Sequence, residues 1–280
     1  MTRTLLIDAD ILAYRASSSN QRAYDWGEGV KSIAADEKEA QRTADEAVQE
    51  LSEKLEADAI IICLSDDFHN FRADRIDPTY KSNRAKVERP VHLYDIKDWL
   101  ADTYDTERWT ALEADDVMGI LATDPSRTDE RIIVSADKDL MQIPGKLYRP
   151  QDQRGSKPII HEISVREADR FHLYQTIVGD VTDGYPGLPG AGPVAAQALL
   201  AGLGWEVYDY VFQHGKRKGE AQTRWRRVEK ESSWEAIVSG YAKAGLHEGH
   251  AINQARLARI LRHEDWDGRS PKLWSPIPLT

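Results

Sequence analysis

Short runs of consecutive apolar residues, each closed by acidic side chains, recur along this chain. Thr4-Leu5-Leu6-Ile7 leads into Asp8-Ala9-Asp10. Ala59-Ile60-Ile61-Ile62-Cys63-Leu64 leads into Asp66-Asp67, and Arg131-Ile132-Ile133-Val134 into Asp137 and Asp139. β-Branched runs of this kind, without polar alternation, predict strands buried on both faces, as in a parallel sheet. Between them the apolar period lengthens to that of helices. Thr43-Ala44-Asp45-Glu46 reads as a capping box before a stripe of Ala44, Ala47, Val48, Leu51 and Leu55. A further helix is predicted over 91–103. Another opens at Glu113 and buries Val117, Met118, Ile120 and Leu121. Residues 17–35 are polar and contain glycine, which predicts a mobile loop, and 146–149 with 158–163 predict an antiparallel edge hairpin. Strand, helix, strand, helices, strand is the order of a sheet with crossover helices. The expected class is α/β: a central, mostly parallel sheet flanked by helices, over residues 1–163.

From Ser164 the pattern changes. Ser164-Val165-Arg166-Glu167 is a second capping box, followed by a stripe of Phe171, Tyr174 and Ile177. Residues 179–192 then hold five glycines and two acids in fourteen positions, and Pro193 suits the first turn of a helix ending near Gly202. Helix, glycine-rich turn, helix presents backbone N–H groups that can reach phosphates without reading bases. Lys216-Arg217-Lys218 and Arg224-Trp225-Arg226-Arg227 suit a groove that tracks phosphates, and equally a solvated basic face. Helices are expected over 234–244 and 251–262, with Trp266 and Trp274 as packing anchors. Residues 164–280 thus form a second, helical region.

Apolar content of 41% and charged content of 30% are those of an ordinary soluble globular protein. No run approaches membrane length, and Met1-Thr2-Arg3 leads straight into a strand, so a cytoplasmic protein is expected. Cys63 is the one cysteine, which excludes an internal disulfide; its apolar run makes it a buried hydrophobe rather than a nucleophile. A net charge of −10 argues against nucleic acid as a partner only if the negatives are spread out. Nine candidate site carboxylates account for nearly all of it.

In parallel sheets ligands sit outside the carboxyl ends of the strands. Three strands here end in acid, and Glu113-Ala114-Asp115-Asp116 adds a helix start with more carboxylates than a cap requires. Like charges brought that close cannot all ionise without cations between them. Many carboxylates, few histidines and one cysteine favour Mg²⁺ or Mn²⁺ over zinc. Two such ions about 4 Å apart suit in-line attack of water on a phosphodiester. Phe71-Arg72 and Tyr80-Lys81-Ser82-Asn83-Arg84 supply three cations able to grip phosphates.

Together, Leu6-Ile7-Asp8, Phe71-Arg72 with Tyr80-Lys81 and Arg84, Glu113-Ala114-Asp115-Asp116, Ser135-Ala136-Asp137-Lys138-Asp139 and the 179–190 turn resemble the 5′-nuclease superfamily, which includes flap endonucleases. The motifs stand in the family's order over residues 4–202. Ile76-Asp77-Pro78-Thr79-Tyr80-Lys81-Ser82-Asn83-Arg84, Asp115-Asp116-Val117-Met118-Gly119 and Ala258-Arg259-Ile260-Leu261-Arg262 are most similar to the free-standing 5′→3′ exonucleases of T-seven-like phages.

The resemblance implies a PIN-like core, a helix–three-turn–helix and two divalent ions. Asp8, Asp66, Glu113, Asp115, Asp116 and Asp137 would serve the first ion, directly or through water. Asp139, Asp180 and Asp183 would serve the second, with Asp137 between them. Lys81 would contact the scissile phosphate, assisted by Arg72 and Arg84. Tyr80, Gly184, Gly187, Gly190 and Gly192 would lie along DNA, and the turn could hold K⁺ through carbonyls; beyond the resemblance, the basic run itself puts Lys216, Arg217 and Lys218 on the DNA-binding side. The activity implied is 5′→3′ hydrolysis of duplex DNA and RNA–DNA hybrids in phage replication, with replication proteins as partners and no membrane. Only 28 residues separate Arg84 from Glu113, so any arch is short; that favours duplex ends and nicks over long flaps. Flap endonuclease is the nearest alternative. A PIN-type ribonuclease would lack the glycine-rich turn, and a DNA-binding module with structural acids would be marked by lost acids. Asp66 and Asp67 compete for one place, and Asp10 is an extra acid without a role.

Overall fold

Leu5, Leu6 and Ile7 are all buried, and the strand they form, β1 (Arg3–Asp8), lies inside a six-stranded sheet. The computed structural model describes residues 2–27, 31–155 and 157–276. After β1 come α1 (Ala9–Ser19), β2 (Gln21–Asp25), β3 (Lys31–Ala35), α2 (Glu37–Leu55) and β4 (Ala59–Leu64). They are followed by α3 (Phe71–Arg75), α4 (Leu93–Thr103), β5 (Thr106–Arg108), α5 (Ala114–Ala122) and β6 (Glu130–Val134). β7 (Gly145–Tyr148) and β8 (Ile160–Ile163) close the sheet. The order is β5-β4-β1-β6-β7-β8, parallel except for β8, which runs antiparallel to β7. The expected α/β class is the one found.

Two details of this sheet position the site. β1 lies between β4 and β6, so the connections reverse direction there, and such a switch point opens a crevice at the carboxyl ends of the strands. Asp8 pairs with Cys63 of β4, and Ile7 with Val134 of β6. The three carboxyl ends therefore lie level, one strand spacing of about 4.8 Å apart. Pleating sends Leu5, Ile7, Ile62, Leu64, Ile132 and Val134 to one face, against Ala13, Val48, Ile96 and Leu100 of the helices. α5 covers the other face of β1, β4 and β6. Each buried Leu, Ile or Val contributes about 1.5–3 kcal/mol.

Residues 17–35 are not a loop. α1 runs on to Ser19, and β2 and β3 pair antiparallel from Gln21↔Ala35 to Asp25↔Lys31; residues 28–30 lie outside the described ones. α2 also starts earlier than the Thr43 box: the Asp36 side chain accepts the Glu39 N–H, and Thr43 instead donates its hydroxyl to the Glu39 carbonyl.

The described chain divides into two compact units. One holds the chain up to Asp74, Arg84–Ala168 and Ile260–Lys272; the other holds Arg75–Asn83, Asp169–Arg259 and the residues from Leu273. The sequence predicts one boundary, after residue 163; by these units the chain passes from one to the other after Asp74, Asn83, Ala168, Arg259 and Lys272. Within the first unit, the Leu261 N–H donates to Asp116 (3.0 Å) and the Arg262 guanidinium to the Gln142 carbonyl (2.8 Å). Gly119 lets this returning segment lie on α5: a Cβ there would be 2.2 Å from the Leu261 carbonyl oxygen. Trp266 stacks on Trp109 at 5.4 Å.

α6 (Val165–Val178) leads into the second unit, which holds α7 (Pro193–Leu200), β9 (Leu203–Val211), β10 (Ala221–Glu229), α8 (Ser233–Lys243) and α9 (Glu248–Ala258). Its core is Ile177, Leu188, Ala196, Leu199, Ile237, Tyr241 and Ala251. Trp274 meets His172 and Trp234 edge-on. The stretch after 203, expected only as basic clusters, is an antiparallel hairpin. α9 stops at Ala258 rather than continuing to 262.

Candidate active site

Two serines organise the carboxyl edge of the sheet. Ser135, just past β6, donates its hydroxyl to Asp8 at 2.6 Å and accepts the Asp137 N–H at 3.0 Å. Ser65, just past β4, donates to Asp10 and accepts the N–H of Ala114, the first residue of α5 (2.9 Å). Strand ends and the acidic start of α5 are thus tied by single hydroxyls. Neither serine was given a role from the sequence, although Leu64-Ser65-Asp66 and Val134-Ser135-Ala136-Asp137 both set a serine directly after the last apolar strand residue.

The acids divide by what neutralises them. Asp8 is buried, and its charged neighbours Asp10 and Asp137 are both negative; burial first, then Asp10 and Asp137, push its carboxyl up to about 7, against the hydrogen bonds from Ser135 and Ile11. A carboxylate offers about four lone-pair positions. Among the described residues Asp8 uses two, for the Ser135 hydroxyl and the Ile11 N–H, and Asp137 one, for the Asp139 N–H. Asp10 and Asp67 instead share a protein cation. Lys97 of α4, buried, lies 3.0 Å from Asp10 and also bonds Asp67.

Asp116 is fully buried and its oxygens take four donors: the Arg72 guanidinium through both terminal nitrogens (2.7 and 2.8 Å), Leu261 N–H and Glu113 N–H. These four donors occupy the lone pairs of Asp116, which is here a structural acid as well as a predicted metal-site residue. The Arg72 guanidinium is buried, forks onto Asp116 and reaches Glu113 at 3.0 Å, so it holds the start of α5 in place. Asp66 accepts N–H groups from Phe68, His69 and Ala111; burial opposes ionisation, but these three bonds hold its carboxyl below the usual range. Asp66 therefore shapes the loop after β4, while Asp67 goes to Lys97. Asp115 is half-buried in the first turn of α5, Asp139 bonds Lys138 at 2.8 Å, and Arg84 is exposed. Cys63 is buried and its thiol is pushed well up by desolvation, which leaves it inert.

In the second unit, Asp180 accepts the N–H groups of Thr182 and Asp183. Asp183 receives the Tyr80 hydroxyl at 3.2 Å, and Lys81 Nζ lies 3.6 Å from it. Lys81 holds a left-handed φ of 55°, a position L residues rarely take, and its N–H donates to the Asp183 carbonyl. Asn83, unassigned from the sequence, donates to the carbonyls of Val181 and Thr182. The Gly187 N–H donates to Gln254 at 2.7 Å, and Gly187 and Gly179 are packed back to back, where a Cβ on either would overlap the other's backbone. Gly184 also gives its N–H internally, to Val181. Gly190 and Gly192 are exposed, with nothing within 4 Å of an added Cβ. Lys216, Arg217 and Lys218 are exposed at the turn between β9 and β10.

The sheet-edge acids share hydroxyls and lie on adjacent strand ends, but their oxygens are not drawn into a tight group. Among the described residues the one such group of three ligand atoms is Glu37, His92 and Asp95, none of them a predicted site residue. No described helix is long and apolar enough to cross a membrane.

The profile of a family described as "5'-3' exonuclease, N-terminal resolvase-like domain" matches residues 3–167. A protein named exonuclease from Escherichia phage T7 is 33% identical, covering 97% of this chain and 93% of its own length. The structure of phage T5 5'-exonuclease with bound divalent zinc ions has a TM-score of 0.61 at 15% identity, over 91% of this chain and 89% of that one. A phage T5 flap endonuclease variant in a product complex with DNA and metal ions has a TM-score of 0.54 at 18% identity, over 71% of this chain and 74% of that one. By the family profile and the near-full-length likeness to the T7 protein, the chain belongs to the 5′–3′ exonuclease family.

Proposed function

We propose that this protein is a divalent-metal-dependent 5′→3′ exonuclease that removes nucleotides from duplex DNA and from the RNA strand of RNA–DNA hybrids. The observation that carries this reading is the pair Asp8 and Asp137. They flank the Ser135 hydroxyl at the switch point of the sheet, bear like charge, and have lone pairs not spent on protein donors. The donor set fits a hard cation, being all oxygen. Glu113, Asp115 and Asp139 would complete it, with Asp66 shaping the loop beside them. Two Mg²⁺ or Mn²⁺ ions in such a site would activate water and offset charge on the leaving oxygen.

The chain's own residues do the rest. Ser135 and Ser65 fix the approach of Asp8, Asp10, Asp137 and α5. Arg72 holds the acidic helix start, and Lys97 offsets one of the two charges of Asp10 and Asp67. Lys81, backed by Asp183 and Tyr80, is the cation we assign to a substrate phosphate, with Arg84 assisting. The places given to Asp180 and Asp183 at a second ion, and to Gly190 and Gly192 along the DNA backbone, rest on the resemblance. The T7 relative and the metal- and DNA-bound T5 structures support the same reading.

Digestion of 5′- and 3′-labelled duplex, nicked, flapped and RNA–DNA substrates tests it. Mononucleotides or short products from 5′ ends, stopped by chelation, are expected. Cleavage that persists in EDTA contradicts the metal, and products from 3′ ends contradict the polarity; preference for flaps makes it a flap endonuclease.

A further inference from the structure

β9 and β10 make a ribbon with nine residues in each strand, paired in a sheet only with each other. Its root is anchored in its own unit. The Trp205 N–H donates to the Ser239 hydroxyl at 2.8 Å, and Gly204 lies so near α8 that a Cβ would be 2.9 Å from the Ala236 Cα. Beyond Trp205 most side chains are exposed or half-exposed. A bare two-stranded ribbon is marginal in water, and its open edges invite pairing.

One face of this ribbon is built to hold cations still. Tyr208 pairs with Arg224, Tyr210 with Gln222 and Glu206 with Arg226, so Tyr208, Tyr210, Arg224 and Arg226 share that face. The Arg224 guanidinium lies 3.8 Å from the Tyr210 ring centre and 5.2 Å from that of Phe212. Arg226 lies over Tyr208 at 5.3 Å, and Arg217 over Phe212 at 4.1 Å. Lys216 and Lys218 add exposed charge at the tip. Glu206 and Glu220 pair with Arg226 and Arg217, but both pairs are exposed and so weak enough to yield to a phosphate. Stacked guanidinium groups lose less entropy when they bind a polyanion. On a chain of net charge −10, residues 203–229 hold six cations (Lys216, Arg217, Lys218, Arg224, Arg226 and Arg227) against four acids (Glu206, Asp209, Glu220 and Glu229), a net of +2, with the cations at 216–218 grouped at the tip.

We propose that this ribbon face is a separate nucleic-acid contact that grips the phosphate backbone of the DNA substrate; the identity of the ligand rests on the nuclease reading. It adds to the glycine-rich turn and, being sequence-independent, acts on affinity and on how long the enzyme stays on its strand.

The test is the variant Lys216→Gln, Arg217→Gln, Lys218→Gln, alone and with Arg226→Gln, in the full chain. DNA binding is followed by anisotropy with Ca²⁺ in place of Mg²⁺ from 50 to 200 mM salt. Each phosphate contact contributes about 0.9 to the slope of log K against log salt, so the triple variant should lose roughly 2–3 from that slope and the fourth change should deepen the loss. With Mg²⁺ the defect should fall on KM, about tenfold, rather than on kcat. Unchanged slope and KM in a variant with wild-type melting would overturn the proposal, as would a wild-type chain that self-associates through the ribbon while its DNA slope ignores the substitutions. A wild-type protein whose binding depends on the ribbon but which cuts nothing would remove the nuclease reading and leave this contact standing.

Discussion

Asp8 and Asp116 are both buried carboxylates of the first unit, and they sit in opposite electrostatic settings. Asp116 is wrapped by protein donors, with the Arg72 fork as its counter-charge. Asp8 faces two further acids and is steadied by a serine hydroxyl and a helix N–H. The contrast teaches that an acidic motif is not a list of ligands. Three of its acids hold the frame: Asp116 is neutralised by Arg72, and Asp10 and Asp67 share the one charge of Lys97. The acids left uncompensated, Asp8 and Asp137 foremost, are those with a reason to need an external cation.

Changes that break this contrast should rank by how directly they touch the uncompensated pair. Asp137→Ala should lower the cleavage rate by more than about a hundredfold, since even outer-shell partners of a metal ligand are worth about 10–100-fold; DNA binding in Ca²⁺ should stay measurable. Near-normal cleavage in Mg²⁺ would remove Asp137 from the site. Asp116→Asn should act on stability first. It takes the forked counter-charge from buried Arg72, which keeps Glu113, so the loss should stay below the roughly 3–5 kcal/mol of a fully broken buried pair, visible as an early denaturation midpoint with or without Mg²⁺. A midpoint that Mg²⁺ restores would return Asp116 to the metal. Lys97→Met should have a smaller effect on the melting temperature, because Asp10 keeps Ser65. In compensation, added Mg²⁺ should stabilise this variant more than the wild type, as one more negative charge faces the site; an equal response in both proteins would make Lys97 a packing residue only.

Much of the frame was legible because it is written in consecutive residues. The apolar runs of β1, β4 and β6 and the capping box before α6 need only their neighbours to be read. β2, β3, β9 and β10 were missed because their alternation is short, exposed and filled with arginine and tyrosine; Tyr208, Tyr210 and Phe212 at a period of two were the available signal. At the site, Asp8 and Asp137 stood out as acids ending apolar runs. The ion pair of Arg72 was hidden for a physical reason: a local phrase cannot tell whether a guanidinium will be buried against Asp116, 44 residues away, or turned to solvent. The several crossings between the two units were equally hidden, since the contacts of Leu261 with Asp116 and Gly119 span more than 140 positions.

The sharpest measurement compares melting of the wild type and Asp8→Asn across pH 5 to 8, with and without Mg²⁺. Unfolded, Asp8 ionises near 3.9; folded, burial and its acidic neighbours raise that to about 7. The unfolded chain therefore sheds the proton first, and the metal-free wild type should lose stability, on the order of a few kcal/mol, as pH rises from about 4 through 7. Asn keeps the helix cap without the charge, so the metal-free variant should be flatter in pH and more stable than the wild type at pH 8. Mg²⁺ should raise the wild type at pH 8 by several degrees, do less at pH 5, and do little for the variant. A metal-free Asp8→Asn protein that melts below the wild type at pH 8, or that gains as much from Mg²⁺, would contradict an uncompensated charge at Asp8.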